Sequence, residues 1–266
     1  MSGLDVRAWV KRRAHRLGLD IVQYRSARSL AGHTEALLSG LTVSCVLDAG
    51  ANVGQYGSFL RSIGYAGQIV SFEPVPDVYA QLRRRASGDA KWLTVNTALG
   101  RESGSATINV TRGSVLSSLH TPLDTDGRSL SGSMQLERQE TVTVSRLDEM
   151  VDEHVDRTSP QRLFLKCDTQ GWDLEVLEGA KGCLDDVVAI QVEMSVVPIY
   201  RDMPDWLDSM TYLHHLGFEP TGFFPVTYIS ETRVLEFDCV MVRSSEADAL
   251  GSVVDQRPGV LSGGTP

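Results

Sequence analysis

Short apolar runs, each closed by an acid or a glycine turn, alternate along the chain with stretches whose apolar residues recur at helical spacing. The run Cys45, Val46, Leu47 ends in Asp48. A turn bearing Gly50 and Gly54 follows, and residues 52–63 carry Leu60 and Ile63 at helical spacing as far as Gly64. Strand, tight loop and helix in that order open a βαβ unit. Residues 68–72 predict a second strand, closed by Glu73. Residues 76–86 predict a helix started by Pro76, with Val78, Tyr79 and Leu82 inward, and 91–95 a third strand followed by Asn96. Residues 97–110 alternate, and Gly100 and Gly104 bracket Arg101-Glu102-Ser103, which predicts a hairpin.

Residues 111–137 have little periodicity and much Ser, Gly and Asp, the signature of a long loop of the lid or binding kind. A strand is expected at 140–145 and a short helix at 147–155. Past Pro160, residues 162–167 are apolar enough for a buried central strand, which delivers Asp168; a helix over 173–179 follows. Residues 187–192 form another apolar strand, tipped by Glu193. An amphipathic helix over 206–215 stops at Gly217, and 218–227 and 236–242 are the last two strands. Residues 1–40 make a helical appendage, 41–243 one α/β domain, and the Ser/Gly/Pro-rich 244–266 a disordered tail.

With 266 residues, 42% hydrophobic and 22% charged, the chain can bury one large core and requires no second full domain. A formal net charge of −9 argues against nucleic acid as a partner, because phosphate contacts supply most of that affinity. No apolar run approaches the ~20 residues needed to span a bilayer, and the N-terminus lacks the apolar stretch of a signal peptide. Cys45, Cys167, Cys183 and Cys239 are scattered with no metal or disulfide spacing, so reduced thiols in a cytoplasmic protein are expected. The basic residues Lys11, Arg12, Arg13 and Arg16 share a helical pattern with Val6, Trp9, Val10 and Ala14. That pattern fits a helix packing its apolar side on the domain better than peripheral contact with an anionic membrane, since charge blocks are not specific.

The candidate chemistry begins in the loop Asp48-Ala49-Gly50-Ala51-Asn52-Val53-Gly54. Without a Cβ, Gly50 and Gly54 let a ligand approach the backbone, and the first amides of the next helix point into the same space. The dinucleotide fingerprint needs a glycine where this chain has Asp48, whose carboxylate repels phosphates. A ligand with an ammonium group and no phosphate suits the loop better, as S-adenosylmethionine does. Glu73, at the tip of the second strand, can take both hydroxyls of a ribose. Asn96, at the end of the third, can serve an adenine edge or simply a turn.

These residues, with Phe72-Glu73-Pro74-Val75-Pro76, Ala98-Leu99-Gly100 and Leu165-Lys166-Cys167-Asp168-Thr169-Gln170-Gly171, resemble the FkbM-type methyltransferases from about residue 43 to 242. The resemblance implies a Rossmann-like class I methyltransferase sheet, mostly parallel with the last strand antiparallel and helices on both faces. It implies S-adenosylmethionine as cofactor, bound through Asp48, Gly50, Asn52, Gly54, Glu73, Pro74, Asn96 and Asp168. It also implies transfer to a hydroxyl, often of a sugar in a glycan, glycolipid or natural product, and a Ser-Leu element near the ligand around Ser117 and Ser118. Family members often carry Glu where this chain has Gln170.

Methyl transfer to a hydroxyl calls for a dry pocket, a positioned acceptor and a route for the proton. Asp168 is the first candidate base, being delivered to the carboxyl edge where ligands bind in open α/β sheets; His120, in the long loop, is the second. Gln170 and Tyr200 are candidate acceptor contacts. Asp168 with Glu193 would suit a divalent cation, but two carboxylates alone do not define a metal site and none is assigned. A nicotinamide-dependent oxidoreductase and a non-catalytic ligand-binding protein are the alternatives on the same sheet.

Overall fold

The computed structural model describes residue 13 and residues 29–112, 116–123, 135–156 and 158–251. Apart from residue 13, the basic stretch expected to be an N-terminal helix, and the chain beyond 251, lie outside the described residues. At the end of the helical appendage expected over residues 1–40 lies α1, Leu30–Gly40, whose first turn is capped by the Ser29 side chain accepting from the Gly32 amide at 3.2 Å.

The elements then follow as β1 (Cys45–Ala49), α2 (Gln55–Ser62), β2 (Gln68–Phe72), α3 (Pro76–Ala86) and β3 (Trp92–Val95). Next come β4 (Ala98–Leu99), β5 (Gly104–Thr111), β6 (Leu136–Ser145), α4 (Leu147–His154), β7 (Leu163–Cys167) and α5 (Asp173–Glu178). The chain closes with β8 (Val187–Ser195), α6 (Trp206–His215), β9 (Phe218–Ser230), β10 (Arg233–Arg243) and α7 (Ser244–Gly251).

Seven strands form the main sheet in the order β3-β2-β1-β7-β8-β10-β9. β1 pairs in parallel with both β2 and β7, β7 with β8, and β2 with β3, whereas β10 runs antiparallel to its two neighbours. This is the mostly parallel sheet with a reversed last strand that the sequence predicts. β1 and β7 are buried along their whole length, which is why they read as apolar runs, each interrupted by a single charged residue, Asp48 and Lys166. Helices cover both faces. Leu37, Leu60 and Leu82 of α1, α2 and α3 pack with Val46, Ile69 and Phe164 on one side. Leu147, Val176 and Leu213 of α4, α5 and α6 pack with Leu47, Leu165 and Ile190 on the other.

Four elements depart from expectation. Residues 97–110 do not close a hairpin. β4 and β5 both pair with β6, in parallel and antiparallel respectively, so the turn at 101–103 joins two strands that flank a third. β6 starts at Leu136, inside the stretch read as loop, because its exposed first half alternates polar residues with no apolar signal. β8 continues through Glu193 to Ser195, held by pairing with β10, so Glu193 lies within the strand. The chain after Arg243, expected to be disordered, turns into α7, which Glu246 anchors by a two-pronged ion pair with Arg162 at 3.0 and 2.8 Å. Among the described residues, no helix is long and apolar enough to cross a membrane.

Candidate active site

The strand order reverses between β1 and β7, and ligands of open α/β sheets bind in the crevice at such a switch point. A cavity of about 380 Å³ opens there, within the roughly 300–1,000 Å³ usual for small-molecule sites. Its floor follows from strand periodicity. On the sheet face toward α1 and α2, alternate residues are apolar at the strand starts (Val46, Ile69, Phe164) and polar two positions on (Asp48, Ser71, Lys166). The register sets Asp48 beside both Ser71 and Lys166, and Lys166 beside Gln191. One step further up stand Asp168 and Glu193, with Asp238 of β10 directly opposite Glu193.

Lys166 is the buried charge around which these groups arrange. Its Nζ lies 2.7 Å from Asp168 Oδ2, 4.0 Å from Asp48 Oδ1 and 5.3 Å from the centre of the Tyr56 ring. Burial alone lowers an ammonium's pKa, but Asp168 and Asp48 reverse this and hold Lys166 charged. Burial likewise pushes Asp168 up, yet Lys166 and the bonds from Lys166 and Gln170 outweigh it and keep Asp168 below the usual carboxylate range. Glu193 goes the other way: burial, then the neighbouring Asp168, Glu236 and Asp238, hold it well above that range. The two acids are therefore biased in opposite directions, Asp168 toward its charged form and Glu193 toward its neutral one.

Gln170 ties the pair together. Its Nε2 donates to Asp168 Oδ1 and to Glu193 Oε2, both at 2.9 Å. Its Oε1 lies 2.9 Å from the Tyr200 hydroxyl, which also approaches the Leu116 carbonyl at 2.8 Å. The Ser118 hydroxyl donates to the Gln170 carbonyl at 2.7 Å, anchoring the loop around 117–120 to the same residue.

Across the cavity, Gly50 has φ +76°, and a Cβ there would lie 2.0 Å from the Asp168 carbonyl oxygen. The β1 loop thus presses against the end of β7, which only glycine permits. Glu73 accepts from the amides of Asn52 and Val75, each at 2.9 Å, and each oxygen keeps a lone pair for a diol. Burial pushes its pKa up to about 7 despite those amides. Ala98, Leu99 and Ile108 form an apolar slot in the wall. The Trp172 indole Nε1, also at this wall, is buried with no acceptor among the described residues. A carboxylate for a diol, a close backbone approach, an apolar slot and an unused donor fit the ribose, amino-acid and adenine parts of S-adenosylmethionine.

Of the residues singled out by sequence, Gly50, Asn52, Glu73, Pro74, Ser117, Ser118, Asp168, Gln170 and Glu193 line the cavity. Asp48 does not. It sits within β1 with no exposed surface, and its Oδ2 accepts from Ser71 at 2.9 Å. Gly54, at φ +86°, starts α2 against Leu82 and Trp92. Asn96 spends its amide on the carbonyls of Glu73 and Pro74, at 2.8 and 3.0 Å, and so pins that turn. The His120 ring stacks edge-on to Trp172, 5.0 Å between centres, behind Gly171, and burial lowers its pKa. Tyr200 is fully buried behind Gln170. Gln191 and Asp238 also line the cavity, as does Lys166, quoted above only as part of the 165–171 motif; the one sequence signal that marks all three is a polar residue in an apolar strand. No three His, Cys, Asp or Glu side chains are grouped to hold a metal ion among the described residues.

Residues 48–220 match the family model described as Methyltransferase FkbM domain. No curated protein matches the chain. Similar solved structures include an rRNA methylase from Streptococcus thermophilus, at 11% identity, covering 80% of this chain and 96% of that one, with a TM-score of 0.42. Aeropyrum pernix fibrillarin, solved with natively bound S-adenosyl-L-methionine, is 12% identical over 79% of this chain and 74% of its own, TM-score 0.44. Magnesium protoporphyrin IX methyltransferase from Synechocystis PCC 6803 is 11% identical over 80% and 78%, TM-score 0.42.

Proposed function

Because this chain belongs to the FkbM family of class I S-adenosylmethionine-dependent methyltransferases, we propose that it methylates a hydroxyl oxygen, with Asp168 receiving the proton. The acceptor is a sugar hydroxyl of a glycan, glycolipid or glycosylated natural product. The observation that carries this is the acid pair Asp168–Glu193, clamped by Lys166 and Gln170 at the switch point and lining the cavity.

The donor, when bound, would offer an activated methyl carbon for in-line attack by the acceptor oxygen, with the thioether sulfur leaving and keeping the S–C electron pair. Glu73 holds the ribose diol, the turn at Gly50 and Asn52 takes the amino-acid part, and the slot beside Trp172 takes the adenine. Asp168 keeps a third of its side-chain surface, 33%, open and stands ionised next to the reacting oxygen. Its low pKa is no obstacle. As the O–C bond forms the hydroxyl becomes oxonium-like and strongly acidic, so a weak base at hydrogen-bonding distance suffices. Lys166 and Gln170 fix the carboxylate's orientation, so that little reorganisation accompanies the transfer.

Methyl-labelled donor and a glycan extract test the reading. The native protein is expected to yield methyl ethers. Asp168→Asn should lower kcat by about 10²–10⁴-fold, with calorimetric titration of S-adenosylhomocysteine confirming that the variant keeps a folded donor site. Label found only on nitrogen, or full activity in Asp168→Asn, overturns it.

A further inference from the structure

We propose that the β8–β10 end of the cavity, where Gln191, Glu193 and Asp238 meet, is an acceptor subsite built for the hydroxyls of an uncharged polyol. It is closed to acceptors that carry a carboxylate, sulfate or phosphate beside the reacting oxygen. This rests on the hydroxyl-acceptor reading above and narrows it.

The polar groups here are fixed but only partly used. The Tyr56 hydroxyl donates to Gln191 Oε1 at 2.9 Å, and Gln191 Nε2 donates to Asp238 Oδ1 at 3.0 Å. That chain orients the amide, which is 2% exposed, and leaves Nε2 a second hydrogen with no partner among the described residues. Asp238 is 9% exposed and lines the cavity, and its Oδ2 makes no hydrogen bond among the described residues. A free N–H beside a free carboxylate oxygen matches a hydroxyl, which donates and accepts at once. Glu193, across the β8–β10 ladder from Asp238, extends the same wall toward Asp168.

The charge pattern supplies the exclusion. Of the described residues lining the cavity, Lys166 is the only cation, and it is already committed to Asp168 and Asp48. Asp168, Glu193 and Asp238 line the same wall, and Glu236 is buried next to them. An anionic acceptor would lose its water there, gain no counter-charge and face the ionised Asp168. A neutral polyol exchanges water hydrogen bonds for protein ones with no such penalty.

The test splits the host's glycan and glycolipid extract by anion exchange into neutral and acidic fractions, and incubates each with methyl-labelled donor and the full chain. Label is expected in the neutral fraction. With the labelled neutral acceptor, Asp238→Asn should cut kcat/KM by about 10–100-fold, chiefly through KM, because the free oxygen that accepts from the hydroxyl is replaced by an amide that can turn a donor toward it. S-adenosylhomocysteine affinity should not change. Gln191→Leu should move KM the same way, guarding against a folding defect peculiar to one variant. Label in the acidic fraction, or both variants with native KM, overturns the subsite. Label on nitrogen in either fraction, or none in either with the donor bound, instead overturns the hydroxyl reading on which it rests.

Discussion

Gln170 sits at φ +56°, in the left-handed region that a residue with a side chain enters only when its surroundings hold it there. The two carboxylates it bridges and the Tyr200 hydroxyl supply that hold. The amide serves where a carboxylate would add a third acid to a buried pair. Gln170→Glu is therefore expected to carry a raised pKa in the folded state. The stability it retains is full below the ordinary Glu pKa and falls as pH rises, so urea denaturation should find it weaker at pH 8 than at pH 6. Glu73 obeys the same sign. Burial raises it from 4.5 to about 7, so its contribution to stability is full below 4.5 and is lost as pH rises through 7. Ligand affinity runs opposite, because a ribose diol donates to the ionised carboxylate. Calorimetric titration with S-adenosylhomocysteine should show roughly tenfold tighter binding at pH 8 than at pH 6, the change in ionised fraction across that pKa. At Gly50 the limit is steric: with φ +76° and a Cβ 2.0 Å from the Asp168 carbonyl, Gly50→Ala should lose at least about 1–3 kcal/mol and distort the site.

At the scale of elements, the site exists because strands β1, β7, β8 and β10 each carry apolar residues low on one face and a polar residue above them. The polar residues meet only when the strands are in register, and Lys166 is where the ladder balances its charge. Removing that charge leaves Asp48 and Asp168 buried without a cation. Lys166→Met should destabilise the protein by about 3–5 kcal/mol, the usual result of deleting one partner of a buried pair, read as a fall in the denaturation midpoint at neutral pH. The loop around Ser117 and Ser118 is tied to the site by the Ser118 bond to Gln170 and by Tyr200, which bonds the Leu116 carbonyl and bridges to Pro122, and to the small sheet by the Asn109–Ser118 bridge. It thus spans the small sheet and the end of β7, the position of a cover over the cavity.

For the whole molecule, two cores on opposite faces of one sheet make the cavity a seam between elements that fold together. A ligand that occupies the seam stabilises everything around it. S-adenosylhomocysteine at about 100 times its Kd should add about 2.7 kcal/mol of stability, visible as a rise in Tm. NAD at the same concentration should add nothing, since Asp48 stands where the dinucleotide loop needs glycine. A Tm that rises with NAD instead would return the oxidoreductase alternative.

The sequence by itself determined where the strands, helices and turns fall, and its motifs carried the resemblance that implied a mostly parallel sheet. Apolar runs of strand length, acids at their ends and glycine turns between them depend on local spacing, and local spacing is what a chain displays. The family, the loop at Gly50, the acid at Glu73 and the edge position of Asp168 were legible for the same reason. Only the tertiary structure decided which side chains reach the cavity. Asp48 is one residue short of the end of β1 and turns under the loop, Asn96 is drawn onto the carbonyls of Glu73 and Pro74, and His120 and Tyr200 stand a layer behind Gln170. Lys166, Gln191 and Asp238 come together from strands far apart in the chain. Their meeting depends on pairing register across the sheet, a long-range property that no single stretch of the chain contains.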